Sequence, residues 1–173
     1  MVAVGGNLPG GFPTVREGLE AAVAALPSAG FEVFARSRWW TSEAWPDPAA
    51  PAYLNAVVLV APTGEPLAAL RRLKALERRF GREGGVRNAP RPVDLDLIAW
   101  GDAVMNTLEL VLPHPRARER LFVMGPLAEV LPTWRLPAEG RNETAAALAA
   151  RTTIGLDARP ALVGAERPAP PEN

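Results

Sequence analysis

Between Tyr53 and Val60 the chain alternates with a period of two. Leu54, Ala56, Val58 and Val60 form one wholly apolar face, and Tyr53, Asn55, Val57 and Leu59 form the other, which predicts a strand. Val93 to Ala99 alternates as well, with Val93, Leu95, Leu97 and Ala99 on one side and acidic residues between them. Phe31 to Trp40 is rich in aromatic and β-branched residues and predicts a further strand. Met1 to Val4 is a short apolar strand ending at the turn signal Gly5-Gly6-Asn7. The period changes elsewhere. Val15, Leu19, Ala22, Val23 and Leu26 recur at helical spacing behind Thr14 and Glu17, a capping-box pair. Pro66 opens a second helix through Leu67, Leu70, Leu73, Leu76 or Glu77, and Phe80, and Gly81 ends it. Thr41 to Ala52 is loop, with Pro46, Pro48 and Pro51 opposing helix and ladder alike. After a turn at Trp100-Gly101-Asp102, Ala103 to Leu112 is extended and Pro113-His114-Pro115 is a connector. Leu121 to Val130 and the Ala-rich Asn142 to Arg151 read as helices.

The order strand, helix, strand, strand, helix, strand is that of a ferredoxin-like sandwich, an α+β fold with an antiparallel sheet and helices on one face. Residues 1–158 form a single domain, and the Pro-rich stretch 159–173 reads as a frayed tail. The sheet face left open carries Tyr53, Asn55, Asp94 and Asp96. Asn55 is polar on a mostly apolar face and needs a hydrogen-bonding partner, either a ligand edge or a neighbouring loop.

Composition narrows the classes. A chain of 173 residues with 48% hydrophobic and 22% charged residues is an ordinary globular domain. It has no cysteine, hence no disulfide framework, which agrees with a cytoplasmic setting. The N-terminus reads as no signal peptide, and no stretch approaches a membrane span. A net charge of +0 argues against a general nucleic-acid binder. The charge is nonetheless concentrated. Lys74 and Arg71, Arg72, Arg78, Arg79, Arg82, Arg87 and Arg91 stand against only Glu77 and Glu83 over residues 71–91, and Arg116, Arg118 and Arg120 form a second group. A neutral protein with a focused basic patch suits a small polyanion. Four of these arginines (71, 72, 78 and 79) also fit a solvated helix face.

Asp94 and Asp96 give the patch its chemistry. On a strand they share a face, with Cα atoms roughly 6.5–7 Å apart. Alone, such a pair is better explained as a solvated strand face. Set behind Arg87 and Arg91, it reads as a cation site, since paired carboxylates and phosphate oxygens are the hard donors that Mg²⁺ takes. The arginines would then meet the phosphates.

These residues carry a resemblance. Ala89-Pro90-Arg91-Pro92-Val93-Asp94-Leu95-Asp96-Leu97-Ile98 is similar to the signature of the 6-hydroxymethyl-7,8-dihydropterin pyrophosphokinases of folate biosynthesis. Gly5-Gly6-Asn7-Leu8, Tyr53-Leu54-Asn55-Ala56-Val57, Pro113-His114 and Arg120-Leu121-Phe122-Val123 match in order, so the likeness runs to about Arg151. It implies transfer of a diphosphoryl group from ATP to the hydroxymethyl pterin, with AMP as the other product. By resemblance, Asp94 and Asp96 hold two Mg²⁺ ions, and Arg82 and Arg91 neutralise the moving phosphates. Arg87, Ile98, His114 and Arg120 hold ATP. Ser42, Ala44, Trp45, Tyr53, Asn55 and Phe122 receive the pterin. His114, the chain's single histidine, would otherwise be a turn residue between prolines. The resemblance also implies a monomer. Departures from the family pattern include Gly6 for a serine, Ala44 for a proline, Gly84-Gly85 where basic residues are common, and Asn88 in place of a lid tryptophan.

Two other readings compete. One is a pterin or nucleotide binder of the same family with little turnover, suggested by the thinned basic loop. A pure binder would not need Asp94, Asp96, Arg82 and Arg91 together. The other is a ferredoxin-like RNA-binding module, which would call for exposed aromatics on central strands and a basic domain. Neither is evident in the sequence.

Overall fold

The structure is a computed structural model that describes residues 1–44, 49–82, 89–137 and 143–162. Its main sheet is antiparallel throughout and is built on two neighbouring strands, β1 (Val2–Gly6) and β4 (Tyr53–Val60). β5 (Asp94–Leu97) pairs with the outer side of β1. β2 (Val33–Arg36) and β3 (Trp40–Ser42) pair with successive parts of β4. A two-stranded hairpin, β6 (Met105–Asn106) and β7 (Val111–Leu112), lies apart from this sheet.

Register decides which side chains share a face. Gly5 stands between Asp94 on β5 and Asn55 on β4, and Ala3 stands between Asp96 and Val57. Directly opposed residues of antiparallel strands point the same way. One face therefore collects Val2, Val4, Leu54, Ala56, Val58, Leu95 and Leu97, all of them buried. Against it pack α1 (Val15–Ala24) through Leu19 and Ala22, and α2 (Pro66–Arg79) through Ala69, Leu73 and Leu76. Fully burying a leucine such as Leu73 contributes about 1.5–3 kcal/mol, and its exposure is 0%. α1 starts as its sequence predicts, with the Thr14 side chain accepting from the Glu17 N–H at 3.2 Å.

The α+β ferredoxin-like order is as expected, and the second face adds detail to it. Its apolar half, with Ala3, Val57, Leu59 and Ile98, is covered by α3 (Leu121–Val130) and the short α4 (Ala145–Ala149) through Val123, Met124, Leu127 and Leu148. Only the polar half, with Gly5, Tyr53, Asn55, Asp94 and Asp96, stays open. Helices thus lie on both faces, because α3 is apolar enough to need a second surface.

The single strand expected over Phe31 to Trp40 is broken. The register against β4 slips by one residue between Val33 and Ala35 and again between Arg36 and Trp40. At the second slip Ser37 takes over the ladder: its N–H donates to the Val57 carbonyl and its Oγ accepts from the Val57 N–H, both at 3.0 Å. Of the helix expected over 142–151, residue 142 lies outside the described residues, and among 143–151 the helix covers Ala145–Ala149. Arg159 and Pro160, expected at the start of a frayed tail, form β8 instead and pair with β3. Residues 163–173 lie outside the described residues. Among the described residues no helix is long and apolar enough to cross a membrane.

Candidate active site

The open half of the second face is the floor of a cleft with a cavity volume of about 130 Å³. Ala3, Gly5, Tyr53, Asn55, Asp94 and Asp96 come from the sheet, Ser42 and Glu43 from the end of β3, Arg116, Arg120, Phe122 and Val123 from the entry to α3, and Arg91 from the β5 approach. Small residues at 3 and 5 leave the middle of the floor low, so the flanking polar groups on β4 and β5 face a common space.

At one end stands the charge cluster. Arg82 donates to both Asp94 Oδ1 and Glu77 Oε1. Arg91 NH1 reaches Asp94 Oδ2 at 3.4 Å. Among the described residues the Asp96 carboxylate makes no hydrogen bond or ion pair. Burial works against the Arg82 cation, but Asp94 and Glu77 outweigh it and raise its pKa. Arg120 shows the opposite balance. Burial and then the neighbouring Arg116 pull it below the ordinary arginine range, against the attraction of Asp96 and Asp94. Crowded, partly desolvated cations of this kind are what a bound polyanion relieves. His114 is likewise lowered, by burial first and by Arg120 and Arg116, against Asp96. It favours the neutral ring, and its Nδ1 accepts from the Arg116 N–H at 3.3 Å.

The rest of the lining carries amide and aromatic groups. Asn55 is buried, and its Nδ2 donates to Ser42 Oγ at 3.0 Å, so the partner it needed is a serine of β3. The amide remains part of the cleft wall, with its carbonyl oxygen 3.0 Å from where a Cβ on Gly5 would lie. Phe122 and Tyr53 supply aromatic surface, and the Arg120 guanidinium sits 5.6 Å from the Phe122 ring centre. Burial raises the Tyr53 pKa, with Arg91 pulling part of the way back.

Most of the residues read from the sequence therefore converge. Arg91, Asp94, Asp96, Arg120, Ser42, Tyr53, Asn55 and Phe122 line the cleft, and Arg82 is tied to it through Asp94. Ile98 and His114 are set behind it. The Ile98 side chain is buried under α3, and its carbonyl accepts from the His114 N–H at 2.9 Å. Ala44 is buried next to Glu43. Arg87 and Trp45 lie outside the described residues, as do Gly84, Gly85 and Asn88.

Several participants were not singled out by the sequence pattern. Glu77 occupies a helix position that reads as core, and it is buried. It accepts from the Leu95 N–H at 2.7 Å, from Lys74 Nζ at 3.0 Å and from Arg82. Burial raises its pKa, opposed by Lys74, the Leu95 N–H and Arg82. Asn7 locks the strand approaching Asp94. Its N–H donates to the Arg91 carbonyl at 3.0 Å, and its Oδ1 accepts from the Arg91 N–H at 2.9 Å. The close fit of this turn gives Gly6 a reason: a Cβ there would run into the Pro92 carbonyl. A buried acid in a basic segment was the one available signal for Glu77.

The donor set suits magnesium. Among the described residues no three His, Cys, Asp or Glu side chains gather around one point. Asp94 and Asp96 thus offer two carboxylates, the number Mg²⁺ commonly takes from a protein when phosphates and water complete its shell.

Comparison with known proteins identifies the family. Residues 1–132 match the family model described as 7,8-dihydro-6-hydroxymethylpterin-pyrophosphokinase. A protein of Synechocystis sp. named 2-amino-4-hydroxy-6-hydroxymethyldihydropteridine pyrophosphokinase is 38% identical over 143 residues, 82% of this chain and 71% of that one. Proteins of the same name from Methylorubrum extorquens and Pseudomonas aeruginosa are 36% and 33% identical, covering 73% and 82% of this chain and 78% and 85% of theirs. On its sequence match, and with a cleft that pairs acidic and basic groups at one end with amide and aromatic surface at the other, the chain belongs to the 7,8-dihydro-6-hydroxymethylpterin-pyrophosphokinase family.

Proposed function

We propose that this chain transfers diphosphate from ATP to 6-hydroxymethyl-7,8-dihydropterin, giving AMP and the pterin diphosphate for folate biosynthesis. The observation that carries this reading is the juxtaposition on one sheet face of two neighbouring carboxylates, ringed by arginines, with a buried amide and aromatic side chains a few residues away.

The reaction joins the pterin hydroxyl oxygen to the β-phosphorus as the bond between that phosphorus and the α–β bridging oxygen breaks. Such a transfer needs positioning and charge stabilisation more than covalent help from the protein. Asp94 and Asp96 would hold two Mg²⁺ ions, which when bound neutralise phosphate charge and orient the reacting oxygens. Arg82 and Arg91, both tied to Asp94, stand where charge moves. Arg116 and Arg120 supply further cations to the triphosphate, with the neutral His114 ring behind them, its Nδ1 accepting from the Arg116 N–H. Asn55, held by Ser42, presents its amide to the pterin edge, and Tyr53 and Phe122 offer faces to the ring.

The test is an assay with ATP, Mg²⁺ and the hydroxymethyl dihydropterin, following AMP. We expect AMP formation that requires both the pterin and Mg²⁺ and falls about 100- to 1,000-fold in Asp96→Ala, the range seen when an electrostatic partner of the transition state is removed. Pterin binding with no AMP would replace the enzyme reading with that of a binding protein.

A further inference from the structure

The family match ends at residue 132, yet part of the cleft wall comes from well beyond it. After α4 the chain returns alongside the entry to α3. The Thr153 and Ile154 N–H groups donate to the Glu119 carbonyl at 3.0 and 2.9 Å, and the Leu121 N–H donates to the Ile154 carbonyl at 2.9 Å. Ile154 thereby lines the cleft. Gly155 follows with φ +68°, and the Phe122 ring lies against it: a Cβ at that position would be 2.5 Å from Phe122 Cδ1. A turn closed by the Ala158 N–H on the Gly155 carbonyl brings Asp157 round, and its Oδ2 accepts from the Glu43 N–H at 2.5 Å. β8 then pairs with β3, and the Ala161 N–H donates to the Trp39 carbonyl at 2.8 Å.

This strap spans from the start of α3 to the end of β3. It touches two cleft elements that come from distant parts of the chain, the Phe122 ring and the Ser42-Glu43 corner. We propose that Ile154–Asp157 is a specificity-determining wall of the heterocycle end of the cleft. Ile154 borders the bound ring, while Gly155 and Asp157 are positioning residues that set where the Phe122 face and the Glu43 backbone stand. The inference rests on the pterin reading above, which assigns the ring to this end. Gly155 suits its place twice over, since a side chain there would be strained by the positive φ and would displace Phe122. Asp157 holds Glu43 by a charge-assisted hydrogen bond, the stronger kind.

The experiment measures binding of 6-hydroxymethylpterin and, separately, of a non-hydrolysable ATP analogue, on the full chain and on Asp157→Ala, Asp157→Asn and Gly155→Ala. Loss of one charge-assisted bond predicts pterin affinity about tenfold weaker in Asp157→Ala. Asp157→Asn, which keeps an acceptor oxygen, restores most of it. Gly155→Ala weakens the pterin by at least as much through the Phe122 ring. Nucleotide affinity stays within about twofold in Asp157→Ala and Asp157→Asn, because Asp157 bonds none of the groups assigned to phosphate. Gly155→Ala is read on the pterin alone, since Ile154 pairs with Arg120 and the Arg120 guanidinium lies 5.6 Å from the Phe122 ring. Unchanged pterin binding in Asp157→Ala and Gly155→Ala overturns the proposal, as does a parallel loss of pterin and nucleotide affinity in Asp157→Ala. If the unaltered chain binds the nucleotide but no pterin, the functional reading itself has failed, and this inference falls with it.

Discussion

Glu77 is where a single residue carries the most. It lies on the apolar face of α2, with its side chain 2% exposed, and it spends its carboxylate on three donors from three places: Leu95 on β5, Lys74 one turn back, and Arg82 beyond the helix end. It therefore ties α2 to the strand bearing Asp94 and Asp96, and it sets the guanidinium that bonds Asp94. Replacing it with alanine orphans a buried N–H and leaves Arg82 with one anchor fewer. We expect Glu77→Ala to cost about 2–4 kcal/mol, discounted because Arg82 is partly solvated. Urea unfolding measures the loss, and a cost under about 0.5 kcal/mol would reject this role. Glu77→Gln, which keeps an acceptor for the Leu95 N–H, should recover part of the stability. The roles open to Asp94 and Asp96 were legible because strand alternation puts both on one face, and Asn55 stood out as a polar group on a mostly apolar one; that all three share a face depends on the registers of β1 with β4 and β5, which the sequence does not fix. Glu77 was not, because helical spacing assigns it to the core and says nothing of what a buried acid meets there.

At the scale of elements, β4 and the two helices that cover its apolar face follow from period and punctuation. Tyr53–Val60 has the bounds its alternation predicts, and Pro66 and Gly81 bracket α2 closely. The break between β2 and β3 was hidden, because a bulge depends on what one serine does to a neighbouring strand. Ser37 is 3% exposed and completes the ladder with its own hydroxyl, which also donates to the Arg38 carbonyl at 2.8 Å. Trp39 enters the core beneath α1, and Trp40, opposite Asn55, joins the other face, since the second slip restores the facing that the first reversed. Ser37→Ala strips the Val57 N–H of its acceptor in a buried place, at an expected cost of about 1–3 kcal/mol. The midpoint of thermal unfolding should fall accordingly, by several degrees for a chain of this size. An unshifted midpoint would mean that the two strands do not rely on the hydroxyl. The final strand β8 was also out of reach, since two residues, one of them proline, carry no period to read.

For the whole molecule the deciding quantity is the contrast between net and local charge. The net charge is +0, yet Arg82, Arg91, Arg116 and Arg120 gather at one end of one cleft, against Asp94 and Asp96. With so little net charge, attraction between protein and triphosphate is confined to the cleft mouth and acts over about one Debye length, ~10 Å at 0.1 M salt. The heterocycle end works by a different physics, with Asn55, Tyr53, Phe122 and Ile154 offering hydrogen bonds and apolar contact to an uncharged ring. The two ends should therefore separate when ionic strength is raised. Between about 50 and 300 mM salt we expect the nucleotide dissociation constant to rise roughly three- to tenfold, and that of the pterin to move by less than about 1.5-fold. Titration calorimetry at matched magnesium measures both. If the pterin weakened as steeply as the nucleotide, the division of the cleft into a charged end and a neutral end would be wrong, and with it the assignment of phosphates to the arginines around Asp94.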